Sequence, residues 1–256
     1  MKNMMIAGNW KMNTNLEQTA NLANTLKRFV EKNDIGDIGI SIFPPYTNIN
    51  KAIDILKDTK VRVGAQNCSG EENGAFTGEI SAAMLKDIGC NYVLIGHSER
   101  RTQFGEKGET IQKKLLKAFE SGLEVIYCIG ESLEMRISDR TNEILNKFLK
   151  TELHNLDSQY LKNLTIAYEP VWAIGSGLTP LPNQIAETHV FIKNTMLDIF
   201  QLNGLSVPVL YGGSLNANNA KGILSIDEVN GGLIGGASLS AESYTSILET
   251  AIEIMS

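Results

Sequence analysis

The chain has 256 residues, of which 43% are apolar, and its formal net charge at pH 7 is -6. This composition excludes a disordered chain and is sufficient for a large buried core. The negative balance and the absence of a long basic run argue against nucleic acid or an anionic membrane as a partner, because both attract clustered Lys and Arg. A small anionic ligand stays compatible, because backbone dipoles can hold a phosphate whatever the overall charge.

Cysteine usage and the apolar runs indicate the compartment. Cys68, Cys90 and Cys128 lack CxxC spacing, so we expect reduced, largely buried thiols rather than a disulfide framework or a zinc site. The apolar run near the N-terminus is too short for a signal peptide. No stretch approaches the ~18 apolar residues of a membrane-spanning helix. We therefore expect a cytoplasmic protein.

Eight short apolar runs rich in β-branched residues predict strands. They cover residues 4–9, 38–43, 61–66, 92–96, 124–130, 164–169, 207–212 and 231–236. Strands that are apolar on both faces and separated by helices pair in parallel. The fold class is therefore α/β, and we expect a single (β/α)8 barrel domain over residues 1–256. An open, doubly wound sheet is the structural alternative.

Amphipathic segments between these runs predict helices at 16–32, 183–200 and 240–255. In the first, one apolar stripe runs from Leu16 to Phe29. In the second, Asn183 is a plausible N-cap.

The barrel prediction groups polar residues that are far apart in sequence, because chemistry in such barrels gathers where strands end. The residues that follow predicted strands are Asn9, Lys11, Gln66, Asn67, His97, Glu99, Glu169, Gly212, Gly213, Ser214, Gly235 and Gly236. Taken singly, each has an ordinary explanation: a surface lysine, a helix-capping histidine, a solvated glutamate or a glycine turn. Their convergence on one face favours a functional site.

Three common motifs are absent or incomplete. GSGLTP (175–180) lacks the third glycine of a dinucleotide fingerprint, and no glycine-rich loop ends in GKS or GKT. GHSER (96–100) has Arg100 where the nucleophile elbow of a serine hydrolase requires its second glycine. These classes are therefore not predicted.

Eight short motifs, in order along nearly the whole chain, resemble the triosephosphate isomerase family. They are NWKMN (9–13), AQNC (65–68), GAFTGEIS (74–81), IGHSERR (95–101), CIGE (128–131), YEPVWAIG (168–175), YGGS (211–214) and GGAS (235–238). The resemblance implies interconversion of dihydroxyacetone phosphate and D-glyceraldehyde 3-phosphate through an enediolate, in glycolysis and gluconeogenesis. It also implies that the reaction uses no metal and no organic cofactor.

The resemblance further implies roles for individual residues. Glu169 matches the general base, and His97 matches a neutral electrophile that polarises the carbonyl. Lys11 and Asn9 match groups that hold the substrate and stabilise developing charge, and Glu99 resembles the acidic neighbour of that lysine. Phosphate is expected on backbone N–H groups, and the residues that supply them would be Gly175, Ser214, Gly235 and Gly236.

The same resemblance implies a homodimer. The stretch GAFTGE (74–79) is similar to a loop that inserts into a neighbouring subunit, which would bring Thr77 close to the partner's Lys11. The chain departs from the family's usual pattern in its lid, where Ser176, Leu178 and Pro180 stand in AIGSGLTP. It also has Asn230 where an aspartate is usual.

Two other functions remain open on the sequence. A catalytically silent barrel could serve as a triose-phosphate sensor or a protein-binding scaffold, since a fold alone does not secure activity. The presence of Lys11, His97 and Glu169 together disfavours this, because a pure binder needs no base and electrophile. Another phosphate-binding barrel enzyme would leave NWKMN and HSERR unexplained.

Overall fold

Eight parallel strands close into a barrel in which each strand pairs with the next along the chain and the last pairs back with the first. The structure is a computed structural model and describes residues 4–176 and 178–256. The strands are β1 (Met5–Asn9), β2 (Gly39–Phe43), β3 (Val61–Ala65), β4 (Tyr92–Ile95), β5 (Glu124–Ile129), β6 (Leu164–Tyr168), β7 (Val209–Tyr211) and β8 (Gly231–Ile234). The (β/α)8 prediction is confirmed, and the pairing of β1 with β8 rules out the open sheet.

Helices connect the strands and pack outside the barrel. They are α1 (Leu16–Lys32), α2 (Ile49–Leu56), α3 (Ala82–Asp87), α4 (Ser98–Gln103), α5 (Glu109–Glu120), α6 (Leu133–Ile137), α7 (Thr141–Glu152), α8 (Pro182–Phe200), α9 (Ala220–Leu224) and α10 (Ala241–Met255). One large apolar cluster joins helix residues such as Leu26 to strand residues such as Ile42. Adjacent strand residues point to opposite faces, so the alternate positions fill the barrel interior.

The barrel interior is a separate, smaller cluster drawn from the strands alone. It contains Ala7, Phe43, Leu94, Ile126, Cys128, Ala167, Leu210 and Leu233. Strand β3 contributes Gly64, where an added Cβ would lie 2.4 Å from Cε1 of Phe43. The Phe43 ring therefore occupies the space that a side chain of β3 would otherwise fill.

Every strand is one to three residues shorter than its predicted range, and for two of them the reason is identifiable. β7 begins after Pro208, which has no N–H to donate, although its carbonyl still accepts from Ile166 N at 2.9 Å. β4 ends before Gly96, whose φ of +74° turns the chain out of the extended conformation. This turn places His97 directly at the end of the strand.

Two helix predictions need correction. Asn183 is not the N-cap of its helix, because α8 already begins at Pro182, a residue suited to the first helical turn. The N-cap is Leu181, and its backbone N–H donates to Oε1 of Gln184 at 3.0 Å. Leu16 is exposed rather than part of the buried stripe of α1, whereas Thr19 is buried and its hydroxyl accepts from the Asn48 amide at 3.0 Å.

The cysteine prediction is confirmed: Cys68, Cys90 and Cys128 are free and buried. Burial raises the pKa of the Cys68 and Cys90 thiols to about 12, so both stay protonated and inert near neutral pH. Among residues 4–176 and 178–256, no helix has the length and apolar character needed to cross a membrane.

Replacing Leu94 by alanine tests the packing of the barrel interior. Leu94 is fully buried, so Leu94→Ala is expected to lower the free energy of unfolding by about 3 kcal/mol, measured by urea unfolding at a fixed protein concentration. The control is Leu116→Ala on α5, where the side chain is 43% exposed and the expected loss is less than about 1 kcal/mol. Equal losses in the two variants would contradict a tightly packed interior.

Candidate active site

A cavity of about 260 Å³ lies at the carboxyl ends of the strands. Its lining contains Asn9, Lys11, His97, Glu169, Ile174, Gly175, residues 212–216, Leu233, Gly235, Gly236 and Ala237. Every residue with a predicted catalytic or substrate-binding role is in this lining except Glu99, which contacts it through Lys11. Gln66 and Asn67, which also follow a predicted strand, lie outside the lining. Closure of the barrel thus brings together polar groups from the ends of five strands.

Glu169 lies directly after β6 and is only 1% exposed. Its backbone N–H donates to the Ile129 carbonyl at 2.7 Å, which extends the pairing of β5 with β6 by one residue. One carboxylate oxygen lies 3.0 Å from Nε2 of His97, and the other accepts from the Ser98 N–H at 2.8 Å. The carboxylate is therefore buried with a polar partner on each oxygen, as burial of such a group requires.

His97 is the N-cap of α4, and its hydrogen bonds define its tautomer. Nδ1 accepts from the Glu99 N–H at 3.3 Å, so this nitrogen carries no proton. Nε2 must then carry the proton and donate it toward Glu169. His97 is thus oriented with Nδ1 toward the backbone of α4 and Nε2 toward the cavity wall.

Lys11 is held in an unusual backbone conformation. Its φ of +53° lies in the left-handed region, which disfavours residues other than glycine. Its N–H donates to Oδ1 of Asn9 at 3.0 Å, and its carbonyl accepts from the Gln66 amide at 2.7 Å. The side chain turns toward Glu99, with Nζ 2.6 Å from the carboxylate.

Gln66 is a functional residue that sequence reasoning missed. It was placed at the end of β3 but was given no role. In the structure its amide donates both to Lys11 O at 2.7 Å and to Phe43 O at 2.8 Å, and so fixes the loop that carries the lysine. The AQNC motif (65–68) was the available signal, but it does not say where the amide points.

The glycines of the cavity serve two purposes. At Gly212 an added Cβ would lie 2.9 Å from Cγ of Glu169, and at Gly213 it would lie 2.2 Å from the Tyr211 hydroxyl, so packing excludes a side chain at both positions. At Gly236 nothing lies within 4 Å, and at Gly235 only the Lys11 side chain does. Backbone at this second pair is open to a ligand.

Glu131 is a second residue whose role sequence reasoning missed. It is fully buried and accepts from the Tyr168 hydroxyl at 3.0 Å and from Nε1 of Trp172 at 2.9 Å. Burial raises the pKa of this carboxyl, and the hydrogen bond from Trp172 works in the opposite direction. Glu131 therefore anchors the segment that follows Glu169 to the end of β5.

The predicted lid segment follows this anchor. Gly175 has a φ of +67°, and the Ser176 hydroxyl donates to the Trp172 carbonyl at 2.8 Å. Leu178 is 54% exposed, whereas Pro180 is buried. Gly177 lies outside the described residues. The Ser214 hydroxyl donates to the Ala173 carbonyl at 2.6 Å and thereby ties this segment to the loop after β7.

A larger cavity of about 690 Å³ lies at the amino-terminal ends of β2, β3 and β4. It contains none of the predicted site residues, and its Arg62 is paired with Glu124. Within the described ranges, no group of three or more His, Cys, Asp or Glu side chains is arranged to bind a metal ion. The smaller cavity, where the Glu169 carboxylate, the His97 imidazole and the Lys11 ammonium converge, is the candidate active site.

Comparison with known proteins identifies the family of the chain. The sequence model of the family described as triosephosphate isomerase matches residues 4–251. The triosephosphate isomerase of Francisella tularensis subsp. novicida (strain U112) is 44% identical over 250 residues, which cover 98% of each chain. That of Aquifex aeolicus (strain VF5) is 43% identical, over 95% of this chain and 98% of the relative.

A solved structure gives the same result. The crystal structure of triosephosphate isomerase from Bartonella henselae superposes with a TM-score of 0.88 at 37% identity, and covers 97% of this chain and 98% of that one. The two chains are therefore similar in sequence as well as in fold, over nearly their full length. The chain belongs to the triosephosphate isomerase family.

Proposed function

We propose that this chain, as a single barrel domain over residues 1–256, interconverts dihydroxyacetone phosphate and D-glyceraldehyde 3-phosphate in glycolysis and gluconeogenesis. The observation that carries the proposal is the contact between a buried carboxylate and an imidazole at the wall of a small cavity: Glu169 Oε1 lies 3.0 Å from His97 Nε2. Moving a proton between two adjacent carbons requires one base and one group that polarises the neighbouring oxygen.

Glu169 acts as the base in this proposal. It removes the proton from the carbon beside the carbonyl and returns it to the adjacent carbon. The hydroxyl proton of one substrate oxygen passes to the other oxygen through His97, so that the net reaction is an isomerisation. In the free site the His97 Nε2–H points to Glu169. A substrate oxygen that accepts this hydrogen bond replaces the carboxylate as its acceptor, and thereby frees one oxygen of Glu169 for the substrate carbon.

His97 and Lys11 act on the oxygens. The neutral imidazole donates to the carbonyl oxygen and stabilises the enediolate as negative charge develops on it. The Lys11 ammonium adds a fixed positive charge, and its ion pair with Glu99 at 2.6 Å orients it. Asn9, which fixes the backbone of Lys11, also lines the cavity.

The phosphate is placed at the glycine-rich wall, on backbone N–H groups of Gly175, Ser214, Gly235 and Gly236. Support comes from the open space around Gly236 and from the position of Lys11 Nζ, 3.6 Å from an added Cβ at Gly235. Loops after the seventh and eighth strands commonly bind phosphate in such barrels. The proposed reaction needs no organic cofactor.

We also infer that the protein acts as a cytoplasmic homodimer. Large apolar side chains are exposed on loops that follow β1, β3 and β4, namely Met12 at 95%, Phe76 at 48% and Phe104 at 66%. Exposed apolar groups beside a site are typical of a surface that another chain covers. Three free, buried cysteines suit a reducing compartment.

Substitutions of Glu169 test its role as the base. Glu169→Gln removes the base and is expected to lower kcat by on the order of 10³-fold. Glu169→Asp retracts the carboxylate by about one methylene and is expected to lower kcat on the order of 10²-fold, because a misplaced group loses its attack geometry. The assay converts D-glyceraldehyde 3-phosphate and couples dihydroxyacetone phosphate formation to NADH oxidation.

The matched control for this series is Glu249→Gln, which removes the same charge from an exposed position on α10. It is expected to retain full activity. An unmutated chain that binds triose phosphate without converting it would overturn the isomerase in favour of a triose-phosphate sensor.

A substitution at Phe76 tests the inferred dimer. Phe76→Asp places a charge on the loop between β3 and α3 and is expected to shift the protein from dimer to monomer in sedimentation velocity at micromolar concentration, with a matching loss of activity. Leu202→Asp is the control, since Leu202 is 77% exposed on the turn before β7, at the opposite end of the barrel. Unmutated protein that sediments as a monomer would show that the dimer inference is wrong.

A further inference from the structure

The Arg101 guanidinium connects two strand ends of the active site, although its side chain is absent from the cavity lining. Its Nε donates to the Gly96 carbonyl at 2.7 Å, and Nη2 donates to the Cys128 carbonyl at 2.9 Å. Gly96 lies directly before His97. Cys128 lies on β5, one residue before Ile129, whose carbonyl accepts from the Glu169 N–H. The two carbonyls therefore belong to the backbone segments that position the imidazole and the carboxylate.

Glu152, at the end of α7, holds the guanidinium in this orientation. Its two oxygens accept from Nη1 and Nη2 of Arg101, each at 2.8 Å. The Tyr127 hydroxyl donates to the same carboxylate at 2.6 Å, and the Gly108 N–H donates to it at 3.2 Å. With four donors, the carboxylate has little freedom to move.

The pair is buried, with side-chain exposures of 12% for Arg101 and 2% for Glu152. Burial by itself would lower the pKa of Arg101, but the hydrogen bonds and charge interactions with Glu152 and Tyr127 together outweigh it, and the pKa is raised. The Phe148 ring lies against the guanidinium, with its centroid 4.4 Å from Cζ of Arg101. A buried ion pair adds little net stability over an apolar replacement, so stability alone does not account for this arrangement.

The Arg101 guanidinium packs so closely against the turn at Gly96 that no side chain fits at this position. An added Cβ there would lie 2.7 Å from Nη2 of Arg101 and 3.1 Å from the Cys128 carbonyl. The guanidinium thus fills the gap between β4 and β5 behind His97. Its planar fork donates in several fixed directions at once, which a lysine ammonium on a flexible stem does not reproduce.

We propose that Arg101 and Glu152 are positioning residues, which touch no substrate but fix the separation and alignment of His97 and Glu169 through the Gly96 and Cys128 carbonyls. This inference rests on the proposed isomerase function.

The test compares Arg101→Lys, which keeps the charge and loses the fork, with Tyr127→Phe, which removes one hydrogen bond to Glu152 and keeps the ring. The control is Arg140→Lys, because Arg140 makes a bidentate pair with Glu143 that is exposed rather than buried. The side chains of Arg140 and Glu143 are 56% and 62% exposed. Steady-state kcat and KM are measured for each, corrected for the folded fraction, together with the imidazole nitrogen resonances of His97 and His189.

Arg101→Lys is expected to lower kcat on the order of 10²-fold with KM changed less than about threefold, because a misplaced base and electrophile slow chemistry more than binding. Tyr127→Phe is expected to give a smaller loss in the same direction. The His97 resonances are expected to move in both variants while those of His189, on α8, stay in place. Arg140→Lys is expected to change neither kinetics nor resonances.

Unchanged kcat and unchanged His97 resonances in folded Arg101→Lys would overturn the proposal, as would a loss carried by KM alone. Should Arg101→Lys fail to fold, the same criteria apply to Tyr127→Phe. Should the unmutated chain show no isomerase activity, the proposed function fails, and the His97 resonances still decide whether Arg101 positions this side chain.

Discussion

The meeting of Glu169 with the start of α4 is the interaction on which the rest of the site depends. One short turn presents both a ring nitrogen, from His97, and a backbone N–H, from Ser98, to the two oxygens of a single buried carboxylate. This geometry requires β4, β5 and β6 to end at the same level along the barrel axis. Parallel pairing in continuous register supplies that condition, because the carboxyl ends of all the strands face the same way.

Four consecutive residues of α4 then connect this contact to the remainder of the protein. The Ser98 N–H binds Glu169, the Glu99 carboxylate binds Lys11, Arg100 binds Glu106, and Arg101 binds Glu152. Glu169, His97 and Lys11 are therefore all held by groups of one helical turn. A change in the orientation of this helix of six residues would therefore move all three side chains at once.

The sequence pattern located the strands and helices on which the candidate site is built. Alternation of β-branched runs with amphipathic segments was sufficient for eight strands, and the strand ends were correct to within a residue or two. Lys11, His97 and Glu169 were identifiable because each follows a predicted strand within a specific motif. What the sequence could not provide was side-chain direction: Gln66 and Glu131 lie in recognised motifs, but their hydrogen bonds depend on how the barrel closes. The pairing of Arg101 with Glu152, 51 positions away, is likewise a product of tertiary packing.

Solvent isotope incorporation distinguishes a proton-transfer site at Glu169 and His97 from a site that only binds its ligand. Purified protein is incubated with D-glyceraldehyde 3-phosphate in D₂O, and the triose phosphates are followed by NMR. A base that exchanges its proton with solvent predicts rapid formation of dihydroxyacetone phosphate with deuterium on the carbon that received the proton. Triose phosphate that binds but gains no deuterium and forms no isomer would contradict the account.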